Sequence, residues 1–164
     1  MSRDDPFDTT DISVLFVCLG NICRSPLAEG VFRHLAIERA DPTRLSIDSA
    51  GTGGWHVGHP PDPRSQAVAR QNGISIEQQQ ARRVSPEDFS RFDLIVAMDG
   101  TNLHDLEQLR PSGSSARLAR LRDWDPEPGD GDVPDPYYGG PDGFDRVYAM
   151  IDRSCQALLN DLLA

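Results

Sequence analysis

The segment Ile12-Ser-Val-Leu-Phe-Val-Cys-Leu-Gly-Asn-Ile-Cys-Arg-Ser-Pro26 decides how the chain folds. Its first part, as far as Cys18, is apolar and rich in branched side chains, which is typical of a buried parallel strand. After a short loop, Ser25 and Pro26 have the residue types of an N-cap and a first helical residue, and apolar residues then recur at helical spacing. The chain is therefore predicted to open with a strand, a short loop and a helix.

Strands and helices continue to alternate along the rest of the chain. Further strands are predicted at 45–50, 93–98 and 116–121. Further helices are predicted to begin at Asp62, Ser85 and Asp99, and a last helix is predicted to carry an apolar stripe from Phe144 to Leu162. This alternation predicts an α/β fold, a Rossmann-like three-layer sandwich in which helices flank a central four-stranded parallel sheet.

The length of 164 residues suits one domain. Residues 1–11 are polar and acidic and are predicted to form a flexible tail, so that residues 12–164 make up the single domain. The chain contains no apolar run near the roughly 20 residues of a membrane helix, and its N-terminus has no apolar signal core. We therefore expect a cytoplasmic protein. We also expect it to act as a monomer.

The charge distribution disfavours two classes of partner. The formal net charge is −10, because 26 acidic residues face 16 basic residues, all of which are arginine. Binding to a nucleic acid backbone or to an anionic membrane surface needs a basic face, so we expect neither partner. The four histidines do not have the spacing of zinc ligands, and neither a metal nor an organic cofactor is expected.

The loop after the first strand has the features of an anion site. Ligands of parallel α/β sheets bind at the carboxyl ends of the strands, and the N-terminus of a helix presents unpaired N–H groups and a positive dipole end. Gly20 and Asn21 tolerate the left-handed backbone of a tight cradle. Residues 19–24 (Leu19, Gly20, Asn21, Ile22, Cys23 and Arg24) are therefore predicted to bind phosphate.

Within this loop, Cys18 and Arg24 suit phosphoryl transfer. The positive field at the helix end favours a thiolate at Cys18, which is a strong nucleophile. Arg24 offers a planar fork of donors for two phosphate oxygens, and Ser25 is expected to donate a hydrogen bond to the sulfur. A purely structural cysteine at the end of the strand is the alternative interpretation.

Several segments carry a resemblance to a known family. Val14-Leu-Phe-Val-Cys-Leu-Gly-Asn-Ile-Cys-Arg-Ser-Pro26 resembles the signature of the low-molecular-weight protein tyrosine phosphatases. Asp135-Pro-Tyr-Tyr-Gly-Gly140 matches a second motif of that family, and shorter matches lie at Asp48–Thr52, Trp55–Gly58 and Ala97–Asp99. The resemblance implies the fold called phosphotyrosine phosphatase type I and a hydrolase of phosphotyrosine and small aryl phosphates. It also implies tyrosine-phosphorylated proteins as substrates, and inorganic phosphate or other oxyanions as product or inhibitor.

The resemblance also implies roles outside the loop. It implies that Asp135 acts as the general acid and then as the general base. By its residue type alone, Asp135 is one more carboxylate of an acidic loop. Tyr137 and Tyr138 become walls of the substrate pocket, and we expect Trp55 to form part of the same wall or to pack in the core. Ser49 is expected to support Asn21.

Four further positions carry expectations. Relatives that act on phosphoarginine tend to have threonine where Ile22 stands, so Ile22 favours an aryl phosphate. The resemblance suggests a reversible disulfide between Cys18 and Cys23, and the alternative for Cys23 is a small loop residue. Cys155 is predicted to lie in the core. Asn72 stands where several relatives have histidine, which changes the support of the phosphate loop.

Two rival functions are weighed against hydrolysis of phosphotyrosine. A thiol-dependent arsenate reductase would share the fold and the loop, but it needs additional redox cysteines, and none lies between Cys23 and Cys155. A catalytically inactive module that binds phosphoproteins would not need Cys18, Arg24 and Asp135 together.

Overall fold

A computed structural model describes residues 11–39, 44–137, 140 and 142–164. The strands are β1 (Ile12–Cys18), β2 (Leu45–Gly51), β3 (Leu94–Ala97) and β4 (Arg117–Arg120). The helices are α1 (Arg24–Arg39), α2 (Pro63–Gln71), α3 (Asp88–Arg91), α4 (Gly100–Leu109) and α5 (Asp142–Leu163), with a 3-10 turn at Leu121–Asp123. The tail predicted at 1–11 lies outside the described residues, except for Asp11.

The strands form one parallel sheet in the order β2-β1-β3-β4. The chain leaves β1 toward β2 on one side, and later enters β3 on the other side of β1. Cys18 at the end of β1 pairs with Gly51, and Val17 pairs with Ala97. The carboxyl end of β1 is thus a switch point of the sheet, where folds of this type bind their ligands.

Both faces of the sheet are buried, as the continuous apolar pattern of β1 predicts. Val14 and Phe16 belong to the core that includes residues of α1 and α5, whereas Leu15 and Val17 belong to a second core with residues of α4. Cys155, at 0% exposure, packs in the first core. The predicted three-layer α/β architecture and the core position of Cys155 are confirmed.

The helix starts agree with the sequence at two positions and differ at two others, one of which is the short helix predicted from Ser85, which begins at Asp88. The Asp62 side chain caps α2 by accepting from the Arg64 N–H, and the Asp99 side chain caps α4 by accepting from the Asn102 N–H. The prediction of Ser25 as the N-cap was wrong, because α1 begins at Arg24, two residues before the predicted first helical residue Pro26. Ser25 therefore lies in the first turn, and its hydroxyl is used elsewhere. None of the described helices is long and apolar enough to cross a membrane.

Candidate active site

The Cys18 sulfur lies at the carboxyl end of β1, on the floor of a cavity. It accepts a hydrogen bond from the Asn21 N–H at 3.3 Å, and it lies 3.1 Å from the Ser25 hydroxyl. These two neighbours can both donate to a thiolate. The displacement of Ser25 from the cap position is thus what brings its hydroxyl to the sulfur.

The main chain of the loop is oriented by the two loops beside it. Its carbonyl groups accept from backbone N–H groups, namely Cys18 from Thr52 (3.0 Å), Leu19 from Gly53 (2.9 Å) and Ile22 from Asp62 (2.8 Å). Within the described part of the chain, no acceptor bonds the backbone N–H groups of Leu19, Gly20, Ile22 and Cys23. These N–H groups remain available to an anion at the start of α1, where the helix dipole is positive.

Two backbone positions permit this tight path. Asn21 has a φ of 56°, in the left-handed region that asparagine tolerates better than most residues. A Cβ atom on Gly51 would lie 2.7 Å from the Leu19 carbonyl oxygen, so only glycine allows β2 to approach the loop this closely.

The Asn21 side chain lies beneath the loop, buried and away from the cavity lining. Its amide nitrogen donates to Ser25 Oγ at 2.8 Å and to Ser49 Oγ at 3.0 Å, and its oxygen accepts from the Arg82 N–H at 2.9 Å. The expected support from Ser49 is therefore present. The Asn21 side chain thus braces the loop, and the binding of phosphate by residues 19–24 stays a prediction.

Asn72 does not take part in this network. Its side chain donates to the Val68 carbonyl of its own helix at 2.9 Å. The Ser49 hydroxyl instead donates to the buried carboxylate of Glu29 at 2.7 Å. Burial raises the pKa of Glu29, and hydrogen bonds from Ser49 and Arg33 offset this rise only in part. The sequence analysis missed Glu29, because nothing local distinguishes it from other acidic residues in α1.

The Arg24 guanidinium is buried and fixed at one end, with 3% of its side chain exposed. Its Nη1 donates to Asp99 Oδ2 at 2.6 Å and to the Val133 carbonyl at 3.0 Å. Burial lowers the pKa of Arg24, but the charges of Cys18, Asp99 and Asp135 outweigh it, so the net shift is upward. The group therefore stays charged despite its burial.

Asp99 has two functions, of which the sequence analysis recognised one. Its Oδ1 caps α4 by accepting from the Asn102 N–H at 2.7 Å, while its Oδ2 holds Arg24. Because Asp99 lies two residues after the end of β3, the parallel sheet places it beside the end of β1. The resemblance of Ala97–Asp99 to the family was the sequence signal that could have indicated this second function, the ion pair with Arg24.

Asp135 lies across the cavity from the loop. Its Oδ2 is 3.6 Å from Arg24 Nη2, and its Oδ1 accepts from the Tyr137 N–H at 3.0 Å. The Asp135 side chain is 38% exposed, so it meets both the cavity and solvent. The structure thus brings Cys18, Arg24 and Asp135 to one cavity.

The cavity has a volume of about 430 Å³. Its lining includes most of the predicted site residues, namely Cys18, Leu19, Gly20, Ile22, Cys23, Arg24, Trp55, Asp135 and Tyr137. Trp55 thus lines the cavity, with 71% of its surface exposed, and does not pack in the core. The predicted wall residue Tyr138 lies outside the described residues.

His56 is a lining residue that the sequence analysis did not assign to the site. Its ring lies against Gly20, where a Cβ atom would be 3.1 Å from His56 Cδ2. The sequence examined this histidine only as a metal ligand. Within the described residues, no group of three or more His, Cys, Asp or Glu side chains has a metal-binding arrangement.

Cys23 is buried beside Cys18, and the two thiols are free. Burial raises the pKa of Cys23 to about 12, and the charges of Asp62, Cys18 and Asp135 add to this effect. Cys23 is therefore a thiol near neutral pH. The Cys18–Cys23 disulfide stays a prediction.

Comparison with known proteins places this geometry in one family. Residues 13–164 match the family described as "Low molecular weight phosphotyrosine protein phosphatase". The "Low molecular weight protein-tyrosine-phosphatase YfkJ" of Bacillus subtilis is 45% identical over 90% of this chain and 94% of its own. The corresponding phosphatase of Schizosaccharomyces pombe is 44% identical over 94% of this chain and 99% of its own. The structure of a protein tyrosine phosphatase from Entamoeba histolytica superposes with a TM-score of 0.88 at 36% identity, over 93% of this chain and 97% of that one.

Proposed function

The chain belongs to the low molecular weight phosphotyrosine protein phosphatase family, and we propose on this basis that Cys18, Arg24 and Asp135 carry out its reaction. The enzyme is a protein-tyrosine phosphatase, a hydrolase of phosphoric monoesters. The proposal concerns which side chains of this chain bind the phosphoryl group, accept it and transfer the protons.

Cys18 is the proposed nucleophile. Its thiolate attacks phosphorus and forms a sulfur–phosphorus bond, while the bond from phosphorus to the phenolic oxygen breaks. Asp135, protonated in the complex, gives its proton to the leaving oxygen. Support comes from the position of the sulfur on the cavity floor and from the position of Asp135 at the mouth.

Arg24 is the proposed phosphate clamp. Because Nη1 is held by Asp99 and by Val133, the Nε–Nη2 edge of the guanidinium remains for two phosphoryl oxygens. The free N–H groups of the loop surround the same position. Such fixed donors stabilise the charge that develops in the transition state without having to reorganise.

The second step returns the enzyme to its starting state. Asp135, now a carboxylate, takes a proton from water, and the water oxygen attacks phosphorus. The sulfur–phosphorus bond breaks, and inorganic phosphate leaves. The Ser25 hydroxyl, 3.1 Å from the sulfur, stabilises the departing thiolate by donating to it.

The walls of the cavity favour an aromatic ester. Trp55 and Tyr137 offer surfaces against which a phenolic ring can pack, and Ile22 adds an apolar contact without a hydroxyl group. The phosphate group of phosphotyrosine stands farther from the peptide backbone than that of phosphoserine, so phosphotyrosine can reach a more deeply buried phosphate site. We therefore infer that phosphotyrosine is preferred over phosphoserine and phosphoarginine.

The proposal extends to the setting of the enzyme. We infer that it acts as a monomer on tyrosine-phosphorylated proteins in the cytoplasm. The three free cysteines support a reducing compartment, because thiols persist there.

The observation that carries the proposal is the meeting of Cys18, Arg24 and Asp135 at one cavity. The experiment measures turnover of p-nitrophenyl phosphate and of a phosphotyrosine peptide, with and without EDTA. Cys18→Ser is expected to lower turnover by about 10⁴-fold or more, since oxygen is a much weaker nucleophile at this site. Asp135→Asn is expected to lower it about 10²-fold or more, because a general acid contributes about that much.

Other outcomes separate the rival functions. Normal turnover by Cys18→Ser contradicts the proposed mechanism, and loss of activity with EDTA indicates a metal. Consumption of thiols that depends on arsenate indicates a reductase. Binding of phosphopeptide without turnover indicates an inactive module.

A further inference from the structure

A second groove adjoins the catalytic cavity. It has a volume of about 640 Å³ and is lined by Leu19, Thr52, Gly53, Gly54, Trp55, Arg83, Asp105, Gln108 and Leu109. Leu19 and Trp55 line both the cavity and this groove, which we call the flanking groove. A chain that leaves the cavity across these two side chains enters the flanking groove directly.

Trp55 forms the partition between the two spaces. A Cβ atom on Gly53 would overlap the Trp55 ring, so the indole lies directly against the glycine backbone. The neighbouring Gly54 also presents no side chain to the groove. The Trp55 ring therefore rests on the backbone that follows β2, between the catalytic cavity and the flanking groove.

The flanking groove combines apolar surface with one cation. Leu19 and Leu109 are both more than one-third exposed, and they offer apolar contact. The Arg83 guanidinium makes no ion pair with any described residue, unlike its neighbour Arg82, which binds Asp48 and Asp88. Helix α4 contributes Asp105 and Gln108 to the same lining.

We propose that the flanking groove binds the polypeptide next to the phosphotyrosine, with an acidic side chain of the substrate beside Arg83. The proposal rests on the proposed function and names the substrate class of that site. An extended chain advances about 3.3 Å per residue, so positions one to three residues from the phosphotyrosine reach past Trp55. Charge complementarity at Arg83 favours a carboxylate there over an ammonium group.

Two pairs of phosphotyrosine peptides test the proposal. One pair carries either glutamate or lysine within three residues on the N-terminal side of the phosphotyrosine, and the other pair carries the same change on the C-terminal side. We expect kcat/KM of the unmodified enzyme to favour glutamate over lysine by about fivefold in one pair, as for a partly exposed ion pair. The preference should shrink at 1 M salt, where exposed charges are screened.

The variants Arg83→Gln and Arg83→Glu complete the test. Arg83→Gln is expected to abolish the preference for glutamate, and Arg83→Glu to reverse it. Arg70→Glu is the matched control, because Arg70 is an exposed arginine in the last turn of α2 and the variant changes the net charge equally. The control should retain the original preference.

Hydrolysis of p-nitrophenyl phosphate separates this proposal from the proposed function. This substrate has no peptide, so its turnover reports on the catalytic cavity. If the unmodified enzyme does not hydrolyse it, the proposed function fails. If it is hydrolysed but neither peptide pair shows a preference, or if the preference survives in Arg83→Gln and Arg83→Glu, the flanking groove does not select acidic residues and the inference is overturned.

Discussion

The loop of residues 18–24 and the segment of residues 133–137 face each other across the catalytic cavity, and they are held very differently. The loop is tied to its neighbours through its carbonyl groups and through Asn21, and its Cys18 and Arg24 are almost fully buried. In the segment, Val133 is buried, but Asp135 and Tyr137 are substantially exposed. One side of the site is thus part of the core, and the other is a surface segment.

This difference matches two demands of the proposed reaction. Donors that stabilise a transition state are effective only when they are already oriented, and this requires the bracing that surrounds the loop. A general acid must take its proton from solvent and admit the substrate, which requires exposure. Changes in the loop are therefore expected to cost more activity than changes around the segment.

Apart from the substitutions of Cys18 and Asp135 given above, the largest effect is expected from Arg24→Lys. Lysine keeps the positive charge but loses the planar fork, and it cannot satisfy both Asp99 and Val133 while presenting two donors to phosphate. We expect kcat/KM for p-nitrophenyl phosphate to fall about 10³-fold or more, as when a clamping arginine is removed. Arg70→Lys, the same exchange at an exposed position, is the control. A loss below about tenfold would show that charge alone suffices.

The next largest effect is expected from Asn21→Ala. The change removes the hydrogen bonds to Ser25, Ser49 and the Arg82 N–H, and alanine is strained at a φ of 56°. We expect the free energy of unfolding to fall by about 3 kcal/mol and kcat/KM by about 10²-fold. Urea unfolding and steady-state kinetics measure the two effects.

Asn72→Ala is the matched control for this prediction. Within the described part of the chain, Asn72 bonds only to the helix that it caps, so we expect its loss to cost about 1 kcal/mol and to change kcat/KM less than about threefold. Equal effects of the two substitutions on kcat/KM would contradict the difference that we draw between bracing of the loop and ordinary helix capping.

The sequence predicts those features of the fold and site that depend on short stretches. The apolar run of β1, the caps Asp62 and Asp99, and the cysteine loop before a helix can all be recognised within a few residues. These stretches are enough to give the sheet, its helices and the position of Cys18 at a strand end.

Features that depend on distant contacts could not be predicted in this way. Ser25 has the residue type of a cap, but the Cys18 sulfur and the Ala50 carbonyl compete for its hydroxyl. Glu29 joins the hydrogen-bond network of Asn21 only because β2 brings Ser49 to it. A local pattern contains no information about these partners, so the bracing network emerges only in the folded chain.

A smaller effect, specific to the exposed segment, is expected from Arg64→Met. The Asp62 carboxylate binds Arg64 at 2.9 and 3.0 Å, and the guanidinium lies 5.3 Å from the Tyr137 ring and 4.7 Å from the Phe144 ring. Because the Asp62 N–H also holds Ile22 of the loop, Arg64 connects the two sides of the site. Methionine keeps apolar volume but removes the cation that positions the segment.

The readout for Arg64→Met is the dependence on the leaving group. Phenyl phosphate needs protonation by Asp135 more than p-nitrophenyl phosphate does, so we expect about tenfold loss for the former and less than about threefold for the latter. Arg91→Met is the control, because Arg91 makes a similar contact with Phe92 at 5.2 Å in the distant helix α3. Equal losses for both substrates would show that Arg64 does not position the acid.

The smallest effect on turnover is expected where the acidic loop is anchored. The buried Asp125 carboxylate binds Arg122 and Arg153, and Arg122 in turn donates to the Asp132 carbonyl at 2.8 Å, just before the segment. Burial alone would raise the pKa of Asp125, but hydrogen bonds from Arg153, the Glu127 N–H and Arg122 hold it at about 2. This anchor contacts neither substrate nor Cys18, so Asp125→Asn should change kcat/KM less than about threefold.

The effect of Asp125→Asn should instead be seen in the pH dependence of stability. Because the folded protein binds a proton at Asp125 more weakly than the unfolded chain does, the stabilisation is fully present above the ordinary pKa of 3.8 and is lost as the pH falls toward about 2. We expect the unmodified protein to lose on the order of 1 kcal/mol more than the variant between pH 4 and pH 2, after allowance for solvent screening. Urea unfolding of both proteins at several pH values measures this difference. The other carboxylates are the same in both proteins, so their titration cancels. If the free energy of unfolding of the two proteins depends on pH in the same way, the charge of Asp125 does not anchor the acidic loop. The rigid part of the molecule would then end near Val133, at the start of the exposed segment.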